Sequence, residues 1–217
     1  ANRQEISLMP SFPLSPRPDQ SPWGAVQQAD QIAPGIWSVT TASHGGLLLS
    51  EARSAAMPDA LRLSGDAYEE DCDWSLVYLA FESELALQKT STAGFLQLAR
   101  DTVRCWHPDR YAAHTGESVA PNQSSVLRTR EAYRAAIGEF CTTTAWGDWA
   151  DWVPEGKVGV IARKVVSVNH LGRPTYADDE LCALVDKNAY RERGEVTVLS
   201  AIAHTIIDPP ETIRPKR

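Results

Sequence analysis

Apolar and polar positions alternate in two different ways along this chain, and the change of period divides it. Between residues 26 and 41, two short runs of strand-favouring residues flank Ala33-Pro34-Gly35, which predicts a hairpin of 26–32 paired with 36–41. Ser43-His44-Gly45-Gly46 follows as a tight loop, and Leu47 to Leu49 read as a short buried strand. Ser50 is placed to cap a helix running to Met57, with Pro58 opening a further turn. From Glu69 the pattern turns helical: Trp74, Val77, Tyr78 and Phe81 recur at helical spacing, and Leu76 and Leu79 fill the other face, so a deeply buried helix is expected, with a strand as the alternative. Over 92–106 the residues Phe95, Leu98, Ala99, Thr102, Val103 and Trp106 form one stripe that Pro108 closes. A loop is expected over 107–123 and a helix over 124–137.

The last third shifts to strand-like runs at 139–145, 158–168, 181–185 and 196–203, divided by Pro-Glu-Gly, Leu-Gly-Arg-Pro and the charged segment 186–194. Strands at both ends with helices between them predict an α+β fold, a mostly antiparallel sheet with two to four helices inserted between the N-terminal and C-terminal strands. The expected organisation is a Pro-rich flexible arm over 1–22, unable to carry a helix or ladder, a single domain over 23–207, and a C-terminal tail over 208–217.

Composition narrows the partners. In 217 residues, 21 Lys and Arg stand against 28 Asp and Glu, a formal charge of -7, which disfavours direct nucleic-acid binding because affinity for phosphate backbones rests on clustered cations. No apolar run approaches the roughly 20 residues of a membrane span. The first residues carry prolines and charges where a secretory leader needs an apolar block, so a cytoplasmic protein with no membrane partner is expected. Cys72, Cys105, Cys141 and Cys182 show no CxxC or CxxH spacing, and reduced, mostly buried thiols are expected.

Several local motifs carry candidate chemistry. Paired glycines let a backbone approach a ligand closely, and an imidazole titrates near neutrality, so His44, Gly45 and Gly46 mark a candidate site. A hairpin whose glycines merely solve a backbone problem is the simpler account. Glu69, Glu70, Asp71 and Asp73 offer hard oxygen ligands, or a carboxylate for His44; the simpler account is an acidic helix N-terminus. Cys72 with His44 as nucleophile and base has nothing in the sequence to bring it together. Trp146, Trp149 and Trp152 offer an aromatic platform, or a loop pinned to its own core. Lys187, Tyr190, Arg191 and Arg193 form a cationic cluster, and His107 and His114 lack a third metal ligand. His107-Pro108-Asp109 after an amphipathic helix resembles the J-domain of heat-shock co-chaperones. It departs from that family at Arg104, where a core leucine is usual, at the acidic Glu117, and in lacking the first helix. The expected role is a helix stop at Pro108 with Asp109 capping the next turn.

Six islands occur in order: Ser21-Pro22-Trp23-Gly24, Ile32-Ala33-Pro34-Gly35-Ile36, Ser43-His44-Gly45-Gly46, Glu69-Glu70-Asp71-Cys72, Val153 to Val160, and Leu184-Val185-Asp186 to Tyr190-Arg191. Together, over about 21–207, they resemble an uncharacterised domain family of phage, plasmid and conjugative-element proteins. The resemblance implies an accessory role in conflict between a mobile element and its host, and no activity. Two functions are therefore expected. The first is a mobile-element accessory protein that binds and inhibits a host defence or nucleic-acid-handling protein, through Gly45, Gly46, Glu69, Asp73, Trp149 and Trp152. The second is a small hydrolase or transferase, with or without a divalent metal, using His44, Glu70 and Asp71 as catalytic candidates. No cofactor or metal set is legible.

Overall fold

A computed structural model describes residues 11–89 and 91–213. Residues 1–10 and 214–217 of the expected arm and tail lie outside that description. The elements run in the order β1 (Gln20–Ser21), β2 (Gly24–Ala25), β3 (Gln28–Ala33), β4 (Ile36–Thr40), β5 (Gly45–Leu49), α1 (Glu51–Ala56) and β6 (Ala67–Glu69). Then come α2 (Trp74–Ala80), α3 (Glu82–Leu85), α4 (Ala93–Trp106), α5 (Pro108–Thr115) and α6 (Ser125–Ala135). The chain continues through β7 (Phe140–Trp146), β8 (Lys157–Val168), β9 (Pro174–Asp186), α7 (Lys187–Arg191) and β10 (His204–Ile207). This is the α+β class, with antiparallel sheets at both ends. The chain divides into two compact units, 1–124 and 125–217.

In the first unit β3, β4, β5 and β6 form an antiparallel sheet in that order. Ile36, Leu47 and Leu49 of the sheet pack with Leu76, Val77 and Leu79 of α2, Val103 of α4 and Tyr111 of α5. As the two-faced apolar pattern implies, α2 is buried on several sides. Ser50 caps α1, its hydroxyl accepting from Arg53 N at 3.3 Å. On α4 only Ala99 and Val103 of the expected stripe are buried, whereas Leu98 and Trp106 stay about half exposed.

Two expectations in this unit are corrected. The segment expected to be a loop over 107–123 contains α5: Pro108 does end α4, but as the first residue of a new helix, where its missing N–H costs nothing. Gly116, in the left-handed region, closes that helix. His107 is the junction and Asp109 sits inside the first turn of α5, so the extended loop of a J-domain is missing. The described part of the arm does carry a ladder, since Gln20 and Ser21 pair with Ala25 and Gly24. It is also tied down: Ser15 Oγ accepts from Trp37 Nε1 at 2.9 Å, and Phe12 meets Phe81 edge-on at 5.9 Å.

That Phe12 contact belongs to a buried charge. Arg53 exposes no surface, donates to both Glu84 oxygens at 2.6 and 2.5 Å and from Nε to Pro34 O at 2.8 Å, and lies 3.6 Å over the Phe12 ring. A guanidinium out of water needs each of these partners.

The second unit is an antiparallel sheet in the order β10, β9, β8, β7, with Val160, Ala162, Ala183, Val185 and Leu199 in its core. The run 196–203 is not a strand. Its apolar Leu199 turns inward in a 3-10 turn, Val198 makes a single bridge to Cys141, and pairing to β9 passes to 204–207. β9 starts earlier than expected because its acidic half, Asp178-Asp179-Glu180, lies in an exposed hairpin arm zipped to β8. Asn169 Oδ1 sets the turn of that arm by accepting from the N–H groups of Leu171 and Arg173 at 2.9 Å. The charged segment after β9 begins as α7, with Asp186 as its cap. Backbone donors from Ala189 and Asn188 hold the Asp186 carboxyl below its ordinary range, and Lys187 does the same for Asp148 from 2.7 Å. Both contributions to folding are present above the ordinary carboxylate pKa of about 3.9 and disappear as the pH falls through the lowered folded value.

Cys141 and Cys182 are buried, Cys72 and Cys105 half-buried, and none of the four is in a disulfide.

Candidate functional site

The sheet of the first unit brings the glycine pair to the acids. In the ladder of β5 and β6, Gly46 stands opposite Glu69, and Glu70 N donates to Gly45 O at 3.0 Å. The loop before β5 is fixed by Thr41, whose Oγ1 accepts from His44 N at 3.2 Å and donates to His44 O at 2.9 Å. His44 is thereby presented with its side chain about half exposed and Nδ1 3.5 Å from Glu69 Oε1. The other Glu69 oxygen accepts from Asp71 N at 2.7 Å, so one carboxylate is held from both sides. One ligand atom each from His44, Glu69 and Glu70 falls within 4.8 Å of the others, a separation that suits two hard oxygens and an imidazole around one divalent ion.

The glycines, in contrast, are occupied by the chain itself. A side chain on Gly45 would meet the Glu70 carboxylate, and one on Gly46 would run into the Tyr68 carbonyl and the Trp23 ring. Their smallness admits Glu70 and Trp23 to the sheet surface rather than an external ligand.

Beside this group lies a pocket of about 260 Å³ between the sheet and α2 and α4. Glu70 lines it together with Gly46, Val39 and Ile32, and three aromatic rings form its far wall. Trp74 stacks on Phe95 at 5.1 Å, and Tyr78 meets both rings edge-on at 5.5 and 5.0 Å. Burial pushes the Tyr78 phenol above its ordinary range, so it stays neutral and a hydrogen-bond donor. The periodicity of α2 and α4 marks these rings as core; that they line a cavity rather than fill one was not readable from spacing.

Other sequence candidates lie elsewhere. Asp73 precedes α2 without capping it, and its carboxylate approaches His107 Nε2 at 3.0 Å and accepts from the Cys72 thiol at 3.7 Å. Burial, and then the charge of Asp73, push the Cys72 thiol up to about 12, the opposite of what a nucleophile needs. Trp149 and Trp152 belong to the second unit. Trp149 is 76% exposed, whereas Trp152 is half-buried against Gly159, where any side chain would collide with its ring, and meets Trp146 at 5.5 Å. The Trp motif and Ile213 line a cleft of about 450 Å³ in that unit. His114 is exposed, and His107 Nε2 lies near the Asp73 carboxylate instead.

A family model described as a domain of unknown function (DUF7007) matches residues 16–137, more than half of the chain, and the protein belongs to that family. The match takes in the first unit's sheet, the His44 group and the aromatic pocket. No curated protein and no solved structure matches the chain. Among the described residues no helix is long and apolar enough to cross a membrane.

Proposed function

We propose that the protein is a binding factor that docks on another protein through the first unit, taking a basic side chain of the partner into the aromatic pocket with Glu70 as its counter-charge. The observation that carries this reading is that Glu70 lines the same cavity as Trp74, Tyr78 and Phe95. Aromatic faces and a carboxylate together attract a lysine or arginine head, and the apolar walls take its aliphatic stem. Glu69 and Asp71 beside it, in a chain of formal charge -7, complement a basic surface and would speed encounter. Within this reading the partner is a host defence or nucleic-acid-handling protein, whose basic groove an acidic face blocks, and the protein is an accessory factor of a mobile element. The last two assignments rest on charge and on the resemblance noted from sequence.

The double variant E69K/E70K reverses the charge at the pocket mouth while leaving the apolar core of the unit in place. Protein that co-purifies with the tagged wild type from its host cells, and is identified by mass spectrometry, should be depleted at least about tenfold from this variant. An unchanged set of co-purifying proteins would overturn the proposal.

The contact between His44 and Glu69 favours a second reading, a small hydrolase or transferase in which Glu69 orients His44 as a general base. It predicts turnover that H44Q removes.

A further inference from the structure

Cys72, Asp73 and His107 come from separate parts of the chain, the turn before α2 and the junction of α4 and α5, and meet at one point. One ligand atom from each lies within 4.8 Å of the others. His107 Nε2 is 3.0 Å from Asp73 Oδ1, and the Cys72 sulfur is 3.7 Å from the same oxygen. A second observation points to something between them. Nε2 of His107 has almost no contact with solvent, and despite its closeness to Asp73 it makes no properly aligned hydrogen bond. Buried imidazole nitrogens ordinarily have a partner.

A catalytic dyad does not account for the arrangement. In a Cys–His pair the imidazole stands next to the sulfur and takes its proton, with the carboxylate behind the imidazole. Here the same carboxylate oxygen approaches both groups, 3.0 Å from the imidazole nitrogen and 3.7 Å from the sulfur.

A metal ion does account for it. With bonds of about 2.0–2.3 Å, a tetrahedral ion sets its ligands about 3.3–3.7 Å apart, close to the separations found. We propose that Cys72, Asp73 and His107 form a binding site for a zinc-class divalent cation. The soft sulfur and the imidazole select zinc or cobalt over magnesium or calcium. On binding, a bond forms between the ion and the Cys72 sulfur, the thiol proton passes to solvent, and the ion takes the place that the proton held between sulfur and carboxylate. Three protein ligands leave a fourth position for water, and both Asp73 and His107 keep some exposure through which it can enter. The site ties the start of α2 to the junction between α4 and α5 on the side of the unit that carries Trp74.

The test is titration of chelator-treated, full-length protein with cobalt(II) under reducing conditions, followed by zinc. The expected result is one cobalt per chain, a near-ultraviolet thiolate-to-cobalt charge-transfer band with the visible bands of a tetrahedral ion, and loss of both on adding zinc. C72S should abolish the charge-transfer band, and H107Q and D73N should each weaken binding at least about tenfold. C105S and H44Q should retain the band and the affinity, which separates this site from the other half-buried thiol and from the His44 group. Far-ultraviolet circular dichroism confirms that each variant is folded, and H107Q carries the test if C72S is not. A wild type without the band, or a band that survives in C72S or is undiminished in H107Q, would overturn the proposal.

Discussion

Replacing Glu84 with alanine is expected to destabilise the first unit by about 3–5 kcal/mol, more than replacing Arg53 itself with methionine. The asymmetry follows from exposure. Arg53 has no contact with solvent, whereas the Glu84 side chain keeps about a quarter of its surface. Removing the glutamate strands a guanidinium against the Phe12 and Phe81 rings with, among the described residues, only Pro34 O to accept from it. Removing the arginine leaves a carboxylate able to turn toward water and a single unpaired carbonyl, for a loss of about 2 kcal/mol. The combined R53M/E84L variant should recover most of the loss, because a buried pair can give way to apolar side chains of similar volume. Urea unfolding followed by tryptophan fluorescence reads all three, and E84A costing less than R53M would show that the pair is not the buried contact described. The same cluster explains why residues around Phe12 are packed: this part of the Pro-rich stretch supplies one ring to cover one cation.

The second large effect falls on the site itself. Gly46→Ala is expected to cost about 2–4 kcal/mol, since the added methyl is driven into the Tyr68 carbonyl, a backbone atom that cannot swing away, and into the Trp23 ring. Gly46 also has φ +155°, which an alanine adopts only with strain. Gly65→Ala is the control: its φ is also positive, but nothing lies within 4 Å of the new methyl, so only the conformational cost of about 1–2 kcal/mol remains. Trp23→Ala placed in the Gly46→Ala background should recover part of the loss but not all, because the Tyr68 carbonyl stays where it is. Equal losses at Gly46 and Gly65 would mean that the register of β5 against β6 is not as described.

Much of the first unit was legible. The hairpin of β3 and β4 follows from Pro34-Gly35 between two short strand-favouring runs, α1 from the Ser50 cap, and α2 and α4 from their helical spacing. What failed has identifiable causes. Pro108 ends one helix and begins the next, and sequence shows the first role more readily than the second. The run 196–203 is apolar enough for a strand but spends Leu199 on filling the core. β9 carries acids that a buried strand would exclude, yet half of it is an exposed arm. For the site, His44, the glycines and the acids were visible as separate motifs, and only the pairing of β5 with β6 joins them. The grouping of Cys72 and Asp73 with His107 has no local signal, because its members are brought together by the packing of α2 against α4. The tryptophans of the second unit stood out by spacing, but spacing does not distinguish the half-buried Trp152 from the exposed Trp149.

The central claim is that His44, Glu69, Glu70 and the aromatic pocket form one surface that another protein occupies. A photo-activated cross-linking amino acid placed at position 44, in cells that carry the natural partner, tests it most directly. The account predicts a discrete protein adduct at position 44, absent from the same probe at the exposed Asp30 and abolished when E69K/E70K is added. No adduct at position 44, or one indifferent to reversal of the two glutamates, would contradict it.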